Sequence, residues 1–184
     1  MTRLYIVIIL CPFLTCSQVQ EKNVSAGLYA DERGYWISDG IALPASDSLF
    51  YLDRPSPLFR KEFNVDRTID SATLYITAAG YYLASLNGNR IGKNVLDPAW
   101  TDYSKRIYYT SYDVTSQLHQ GDNCLGVSLG NGFYNPLPLR KRGRRNLRND
   151  LAVGKPTFLA KLIIQYKNGQ TEEIVTDVNW NYAF

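Results

Sequence analysis

The segment VLDPAWTDYSKR places two carboxylates, Asp97 and Asp102, on either side of Trp100. Paired carboxyl groups about 5–10 Å apart can cleave a glycosidic bond by acting as general acid and as base or nucleophile. Trp100 and Tyr103 could stack on a sugar ring beside them. The same residues also fit a long connection in which Asp97-Pro98 begins a turn and Trp100 packs against a sheet. We favour the connection and predict no catalytic residue, because two acids in a loop are a weak signal.

Other catalytic and metal motifs are absent from the sequence. The single histidine, His119, stands in SQLHQGDN without a second histidine or cysteine beside it, which is typical of an exposed turn. The glycines at 130 and 132 lack the lysine and the helix of a phosphate-binding loop. Cys124 is the one cysteine beyond residue 17, and NCLGVSL suggests a small buried side chain. We therefore predict neither a disulfide nor a metal or other cofactor from these residues.

Basic residues are concentrated between positions 140 and 148, in the stretch RKRGRRNLR, although the formal net charge is only +3. A nucleic-acid-binding protein normally carries its basic surplus over a whole face, so we predict no nucleic-acid partner. Two interpretations remain for the stretch. It is either a solvated loop or a docking surface that meets carboxylates of a neighbouring domain or an acidic glycan, with Phe133 and Tyr134 as apolar anchors. The docking candidates are Arg140, Arg142, Arg144 and Arg145.

The first 17 residues have the pattern of a secretory signal peptide. Arg3 precedes an apolar run over residues 4–14, and small residues follow at Thr15 and Ser17. The run is too short for a transmembrane helix, which needs about 20 apolar residues. We predict cleavage after Ser17 and export from the cytoplasm, to the periplasm, the cell surface or the medium. The alternative is a lipoprotein in which Cys16 is the acylated residue.

Alternation of apolar and polar residues predicts β-strands along most of the remaining chain. In ATLYITA, over residues 72–78, Leu74 and Ile76 point to one face and the threonines and tyrosine to the other. In NCLGVSLGNG, Leu125, Val127 and Leu129 share a face. We expect these apolar sets to form the core.

Turn signals separate these strands at short intervals. Asn87-Gly88 and Asn168-Gly169 are dipeptides that favour the positive backbone angles of tight hairpin turns. The segment RIYYTSYDV, over residues 106–114, predicts a further strand. Many short strands with close turns predict an all-β fold, an antiparallel β-sandwich.

The ends of the predicted sandwich are less regular. Residues 18–57 predict an extended lead-in, and residues 58–184 the sandwich. The one helical candidate is a short turn in VTSQLHQ, with Asp113 as cap and Gly121 as its end. The chain ends four residues after Trp180. We expect no strand to close the sheet there, and therefore a sandwich truncated at its C-terminus.

Four motifs follow one another along the chain: PLFRKEF, GYYLASLNGNRIGKNVLDPAWTDYSKRIYYTSYDVT, GDNCLGVSLGNGFYNPLPLR and VTDVNWN. In this order and spacing, from about Pro57 to the last residue, the chain resembles the N-terminal β-sandwich module of bacterial α-L-rhamnosidases. The combination of LNG, LDPAWTDY and GNGFY is specific, whereas each motif alone would not be. The resemblance implies a jelly-roll-like sandwich of the galactose-binding-like kind.

The resemblance also implies a function. Members of that family hydrolyse terminal α-L-rhamnose of glycans or glycosides with inversion, and their catalytic acids lie in an (α/α)6 barrel further along the polypeptide. No such barrel is present in this sequence. The resemblance therefore implies an accessory domain whose partners are a downstream catalytic domain and rhamnose-containing glycans. The alternative is a stand-alone secreted carbohydrate-binding module.

Some members of the family bind rhamnose through calcium, and the resemblance bears on that possibility. Asn131 and Pro136 match two of their ligand positions, but the turn over residues 79–82 contains no acid. Because calcium needs several hard oxygen ligands, usually with carboxylate charge, we predict no bound metal. The carbohydrate-contact candidates are Trp100, Tyr103, Asn131 and Tyr134.

Overall fold

The chain forms two facing antiparallel β-sheets. The computed structural model describes residues 34–52, 54–141 and 145–184, and only the backbone of residues 141 and 145. These ranges contain eleven strands and three 3₁₀ turns, at Asp47–Tyr51, Thr115–Gln117 and Leu147–Asn149, but no α-helix. The strands are β1 (Leu58–Val65), β2 (Ile69–Ala79), β3 (Tyr81–Leu86), β4 (Asn89–Arg90), β5 (Thr110–Asp113), β6 (Gly121–Gly130), β7 (Arg140–Lys141), β8 (Arg145–Asn146), β9 (Thr157–Tyr166), β10 (Thr171–Val175) and β11 (Asn181–Ala183).

The sheets contain five and four strands. The five-stranded sheet has the order β11-β1-β6-β3-β4, and the four-stranded sheet has the order β10-β9-β2-β5. Strands β7 and β8 form a separate short hairpin. Every ladder between named strands is antiparallel. The predicted antiparallel β-sandwich is confirmed.

The core lies between the sheets, where the alternation in the sequence predicts it. Leu74 and Ile76 of β2 are buried, as are Leu125, Val127 and Leu129 of β6. The alternation works because successive side chains of a strand point to opposite faces of the sheet.

Two side chains of these strands differ from the prediction in how far they are buried. Thr77, expected on the outer face, is buried, and its hydroxyl donates to the carbonyl of Tyr108 at 2.6 Å. Cys124 is half-buried rather than buried, because its position in β6 puts it on the face opposite Leu125.

Three aromatic side chains fill the centre of the core. The ring of Phe158 meets those of Phe59 and Trp180 edge to face, with centroid distances of 5.1 Å and 5.3 Å. The indole N–H of Trp180 donates to the carbonyl of Val175 at 2.9 Å, so its polar atom is satisfied inside the fold. Edge-to-face pairs of this kind add about 1 kcal/mol each beyond area burial.

Both predicted hairpin turns are present. Asn87 and Gly88 have φ values of 53° and 81°, the left-handed pair that a two-residue turn between β3 and β4 requires. Gly169 has a φ of 84° in the turn between β9 and β10. The predicted strand over residues 106–114 is shorter, since only Thr110–Asp113 pairs with β2. The carbonyl of Arg106 accepts instead from the Thr101 hydroxyl at 2.5 Å.

The helical candidate forms a single 3₁₀ turn, Thr115–Gln117. The Asp113 carboxylate accepts from the amide of Thr115 at 2.9 Å and from its hydroxyl at 2.6 Å. Gly121, with a φ of 96°, then begins β6. The turn stays short because the chain must re-enter the sheet.

Segments at both ends of the described chain pair with the sandwich. Ile37, fully buried, exchanges two backbone hydrogen bonds with Phe158 at 3.0 Å and 3.1 Å. Its neighbour Asp39, also buried, pairs with Lys155 at 3.0 Å. At the other end, β11 pairs with β1. The expectation that no strand closes the sheet after Trp180 is therefore wrong.

Candidate functional site

Two loops at one end of the sandwich carry all four carbohydrate-contact candidates. The loop over residues 91–109, between β4 and β5, carries Trp100 and Tyr103, and the loop over residues 131–139, between β6 and β7, carries Asn131 and Tyr134. The structure brings the loops together through two aromatic pairs. The rings of Trp100 and Phe133 lie 5.3 Å apart, and those of Tyr103 and Tyr134 lie 5.1 Å apart.

We call Trp100, Tyr103, Asn131, Phe133 and Tyr134 the aromatic rim. Trp100 is 48% exposed and Phe133 45% exposed, so both present apolar surface to solvent. The predicted connection between strands is present, but the expectation that Trp100 packs against the sheet within it is wrong. Tyr103 and Tyr134 are half-buried and Asn131 is exposed. Phe133, which the sequence suggested only as a docking anchor, completes the rim as the partner of Trp100.

Glycine backbones allow the two tyrosines to lie close to the main chain. The amide of Gly80 donates to the Tyr103 hydroxyl at 3.3 Å, and the φ of Gly80 is 109°. A Cβ at Gly154 would lie 2.4 Å from the Tyr134 hydroxyl oxygen. Burial raises the pKa of both tyrosines, so both remain neutral phenols that can donate and accept hydrogen bonds.

Asp97 fixes the first loop to the sandwich. Its carbonyl accepts from the amide of Tyr82 at 2.8 Å, and a cis peptide bond joins it to Pro98. Its buried carboxylate accepts hydrogen bonds from Asn94 at 3.1 Å, from Thr110 at 3.4 Å and from the hydroxyl of Tyr112. Asp97 therefore positions the loop.

Asp102 has a different setting from Asp97. Its carboxylate accepts from the hydroxyl and the amide of Ser104, at 2.6 Å and 3.1 Å, and pairs with Lys105 at 3.3 Å. The hydrogen bonds from Ser104 hold the pKa of Asp102 below its ordinary value. A glycosidase general acid needs a raised pKa, so this carboxyl group has the opposite character.

The residues that match calcium ligands in some relatives have other partners. The Asn131 side-chain oxygen accepts from the side-chain amide of Asn135 at 2.9 Å. The carbonyl of Pro136 accepts from the guanidinium of Arg148 at 2.7 Å. A cation already contacts this carbonyl, and among the described residues no cluster of acidic side chains joins Asn131 and Pro136, so the arrangement does not fit calcium.

The basic stretch separates into parts with different settings. Arg148 lies over the ring of Phe50 at 4.1 Å and donates to Asn135 and Pro136, so it holds three segments together. Burial lowers its pKa, although Asp47 opposes the shift. Arg140 is exposed in β7, which pairs with β8 where a loop was expected. Arg145 is described by its backbone in β8, and Arg142 and Arg144 lie outside the described residues.

Other sites give no further chemistry in the described ranges. There, no three histidine, cysteine or acidic side chains come together as a metal site would require. His119 is exposed, as predicted for a turn, and lies 3.3 Å from the Asn87 side chain. No helix among the described residues is long and apolar enough to cross a bilayer. The signal-peptide residues and Cys16 lie outside the described residues.

A family model described as the alpha-L-rhamnosidase N-terminal domain matches residues 67–183. This range contains both loops of the aromatic rim and strands β2–β11. The chain belongs to the α-L-rhamnosidase N-terminal domain family. The resemblance proposed from the four sequence motifs is confirmed.

Relatives and solved structures agree with the family. An α-L-rhamnosidase of Formosa agariphila is 43% identical over 122 residues, 66% of this chain. The α-L-rhamnosidase of Streptomyces avermitilis, whose structure contains L-rhamnose, is 34% identical with a TM-score of 0.60 over 70% of this chain. The enzyme of Aspergillus terreus is 31% identical with a TM-score of 0.69 over 83% of this chain.

The chain corresponds to a small part of each relative. It spans 13% of the Formosa agariphila protein, 12% of the Streptomyces avermitilis structure and 16% of the Aspergillus terreus structure. The relatives are therefore much longer α-L-rhamnosidases, and this chain matches them through an N-terminal domain of the family. The catalytic activity of the longer proteins is a property of those proteins.

The rhamnosidase-type sandwich contains positioning residues that sequence reasoning did not identify. Arg148 was counted only as part of a charge cluster, and Asn135 and Gly154 had no assigned role. A proline-containing aromatic loop followed by several clustered arginines gives no signal that one of those arginines folds back onto the loop. Gly154, which stands between Val153 and Lys155, could have been marked as a site of close main-chain approach.

Proposed function

We propose that this chain is the accessory N-terminal domain of an α-L-rhamnosidase-type glycoside hydrolase, and that a downstream domain of the same polypeptide hydrolyses terminal α-L-rhamnose. The family match over residues 67–183 carries the proposal. The settings of Asp97 and Asp102 support it, because neither carboxylate in the described loop is arranged as a general acid. The domain would act through binding and positioning.

A rhamnoside assay tests the non-catalytic part of this proposal. The purified chain is expected to release no sugar from an aryl α-L-rhamnoside, while a full-length α-L-rhamnosidase serves as the positive control. Release of rhamnose by the chain alone, retained after repurification, would overturn the assignment.

The aromatic rim is the surface we assign to glycan contact. Exposed Trp100 and Phe133 offer apolar ring surface, and the neutral hydroxyls of Tyr103 and Tyr134 stand beside them as hydrogen-bonding groups. Asn131 adds an exposed amide. This combination suits a neutral sugar, which presents apolar C–H faces and a ring of hydroxyls.

Retention on immobilised rhamnose-containing polysaccharide tests the glycan assignment. Trp100→Ala is expected to weaken retention, whereas Tyr109→Ala is the matched control, since Tyr109 is 68% exposed and its ring pairs with that of Tyr75, which is not a rim residue. A chelator should change nothing. Equal loss in both variants would exclude the rim as the contact surface. A stop codon directly after the codon for Phe184 in the gene would instead favour the second candidate, a stand-alone carbohydrate-binding module.

Arg140, Arg142, Arg144 and Arg145 are proposed to dock against the neighbouring domain. Arg140 is exposed, and Leu137 and Leu139 before it are 41% and 53% exposed, so apolar and basic surface adjoin. In a polypeptide that contains both domains, Arg144→Ser with Arg145→Ser should lower the thermal midpoint. Unchanged midpoint and unchanged activity would contradict docking.

Export is the remaining part of the proposal. Residues 1–17 have the order of charged, apolar and small residues that a signal peptidase recognises. Expression in a bacterial host should give a processed protein that begins at Gln18 and is found outside the cytoplasm. A lipid on Cys16 would instead establish the lipoprotein alternative, and an uncleaved cytoplasmic chain would contradict export.

A further inference from the structure

Three Asn-Gly dipeptides occur in the described chain, at residues 87–88, 131–132 and 168–169. In such a dipeptide the glycine nitrogen can attack the side-chain amide carbon of asparagine, because glycine has no side chain to hinder the approach. The result is a succinimide, which water opens to aspartate or isoaspartate. The three dipeptides differ in how the fold holds the reacting atoms.

At Asn131-Gly132 the surroundings favour the reaction. The negative charge of the addition step develops on the Asn131 side-chain oxygen, which accepts from the side-chain amide of Asn135 at 2.9 Å. Arg148 in turn donates to the Asn135 side-chain oxygen at 2.8 Å. A cation thus polarises the amide that donates to the developing oxyanion, and donors placed in this way stabilise such charge.

The attacking and leaving atoms at this dipeptide are also available. The amide nitrogen of Gly132 and the side-chain nitrogen of Asn131 make no hydrogen bond to any described residue. Asn131 is exposed, so solvent can take up and supply protons. The succinimide ring can therefore close without prior unfolding of the loop.

At Asn87-Gly88 the fold holds the asparagine on every side. Its side-chain nitrogen, the leaving group, donates to Gln117 at 2.9 Å and to Asn123 at 2.8 Å. Its side-chain oxygen accepts from the amide of Cys124 at 2.9 Å. Closing the ring would break this set of bonds, so Asn87 should be protected.

At Asn168-Gly169 the nucleophile is occupied. The amide of Gly169 donates to the carbonyl of Tyr166 at 2.9 Å, and the Asn168 side-chain oxygen accepts from the amide of Gln170 at 3.0 Å. This dipeptide is exposed, as is Asn131, but it has no charged group behind its donor among the described residues. It is the natural comparison for Asn131.

We propose that Asn131-Gly132 is a self-deamidation site whose reaction Asn135 and Arg148 promote. The Gly132 nitrogen loses its proton to solvent and bonds to the Asn131 side-chain carbon. The side-chain nitrogen of Asn131 takes up a proton and leaves as ammonia. One water then opens the succinimide at either carbonyl, so that one water is consumed and one ammonia released. No oxidant or reductant takes part.

The product changes the aromatic rim. Aspartate at position 131 places a carboxylate where the rim was neutral, within reach of the Asn135–Arg148 pair. Isoaspartate also lengthens the main chain by one methylene between residue 131 and Phe133. Both products would alter the rim, and the reaction itself does not depend on the proposed glycan contact.

Peptide mapping of the intact folded chain tests the site. The folded chain is incubated at mildly alkaline pH and then digested with trypsin, which places the three dipeptides in separate peptides. Mass spectrometry with isoaspartate detection then gives the rate of deamidation at each asparagine. The expected order is Asn131, then Asn168, with Asn87 slowest. In urea the three rates should converge. If Asn131 reacts no faster than Asn168 in the folded chain, or keeps its lead in urea, the proposal is overturned.

Asn135→Ala tests the oxyanion donor. Loss of one ordinary neutral hydrogen bond should slow the reaction at Asn131 about fivefold. The rate at Asn168 in the same molecule is the internal control and should not change. An unchanged or faster rate at Asn131 would show that Asn135 does not promote the reaction, and the folded-against-urea comparison remains decisive if this variant folds poorly.

Discussion

The core of the sandwich and the aromatic rim are built by different means. Between the sheets, Phe59, Phe158 and Trp180 pack ring against ring with almost no exposed surface. At the rim, the rings of Trp100 and Phe133 pair in a tilted arrangement and stay about half exposed, and polar bonds hold their loops. The comparison shows that burial secures the core, whereas Asp97 and Arg148 secure the rim. Substitutions in the two regions should therefore lower the stability of the fold by different mechanisms.

Phe158→Ala should have the largest effect. The side chain is fully buried between Phe59 and Trp180, so truncation leaves a cavity and should lower the free energy of unfolding by about 3–5 kcal/mol. Chemical denaturation measures the change. Leu83→Ala is the control, since Leu83 lies on β3 but is 48% exposed. A similar loss in both variants would break the distinction between core and surface.

Alkaline pH should next weaken the core through its tyrosines. Burial, followed by the hydrogen bond to Glu172, raises the pKa of Tyr166 from 10.0 to about 12. The unfolded chain therefore releases this proton first. The stabilisation that Tyr166 contributes is fully present below pH 10.0 and is lost as the pH rises to about 12. The loss should reach about 2 kcal/mol.

Denaturation midpoints at stepped pH measure this loss. In Tyr166→Phe the decline above pH 10.0 should be shallower, because the variant has no phenol to titrate at this position. Tyr82, Tyr103, Tyr112 and Tyr134, whose pKa values burial also raises, contribute to the remaining slope. An identical alkaline profile for the variant and the natural sequence would argue against the role of Tyr166.

Asp97→Ala should lower stability by about 1–3 kcal/mol, because it leaves part-buried donors such as the Tyr112 hydroxyl without this acceptor. Asp102→Ala is the matched control on the same loop, and removal of its exposed carboxylate should change stability much less. Thermal unfolding of the two variants measures the difference. Equal midpoints would mean that the loop is held by packing alone.

Trp100→Ala should have the smallest effect on stability, less than about 1 kcal/mol, since half of the side chain is already in solvent. Denaturation under the same conditions as for Phe158→Ala gives the direct comparison. A loss as large as that of Phe158→Ala would show that the rim belongs to the core.

The core could be predicted from the sequence because one physical rule governs it. Alternation put Leu74 and Leu125 on inner faces, and Asn87-Gly88 fixed a turn that pairs β3 with β4 in register. Thr77 is buried although the alternation places it on the outer face, and its hydroxyl donates to the carbonyl of Tyr108. This hydrogen bond depends on a loop residue 31 positions away and has no local signature in the sequence.

The aromatic rim could be predicted only in part. The sequence indicated Trp100, Tyr103 and Tyr134 as aromatic loop residues, but it did not indicate that Trp100 pairs with Phe133 or Tyr103 with Tyr134. Those pairs depend on how two loops meet, and the meeting depends on Asp97 and on glycine contacts. The basic stretch over residues 140–148 was misleading in one respect, because Arg148 stabilises the fold by contacts with other segments.

The backbone pairing of Ile37 with Phe158 makes the segment around Ile37 part of the sandwich, although only a short exposed segment joins it to the following residues. A protease cut within residues 42–46, where every side chain is exposed or half-buried, would sever the covalent link but leave that pairing in place. The nicked molecule would then be a two-piece complex. Its melting temperature would rise with protein concentration, as that of a dimer does.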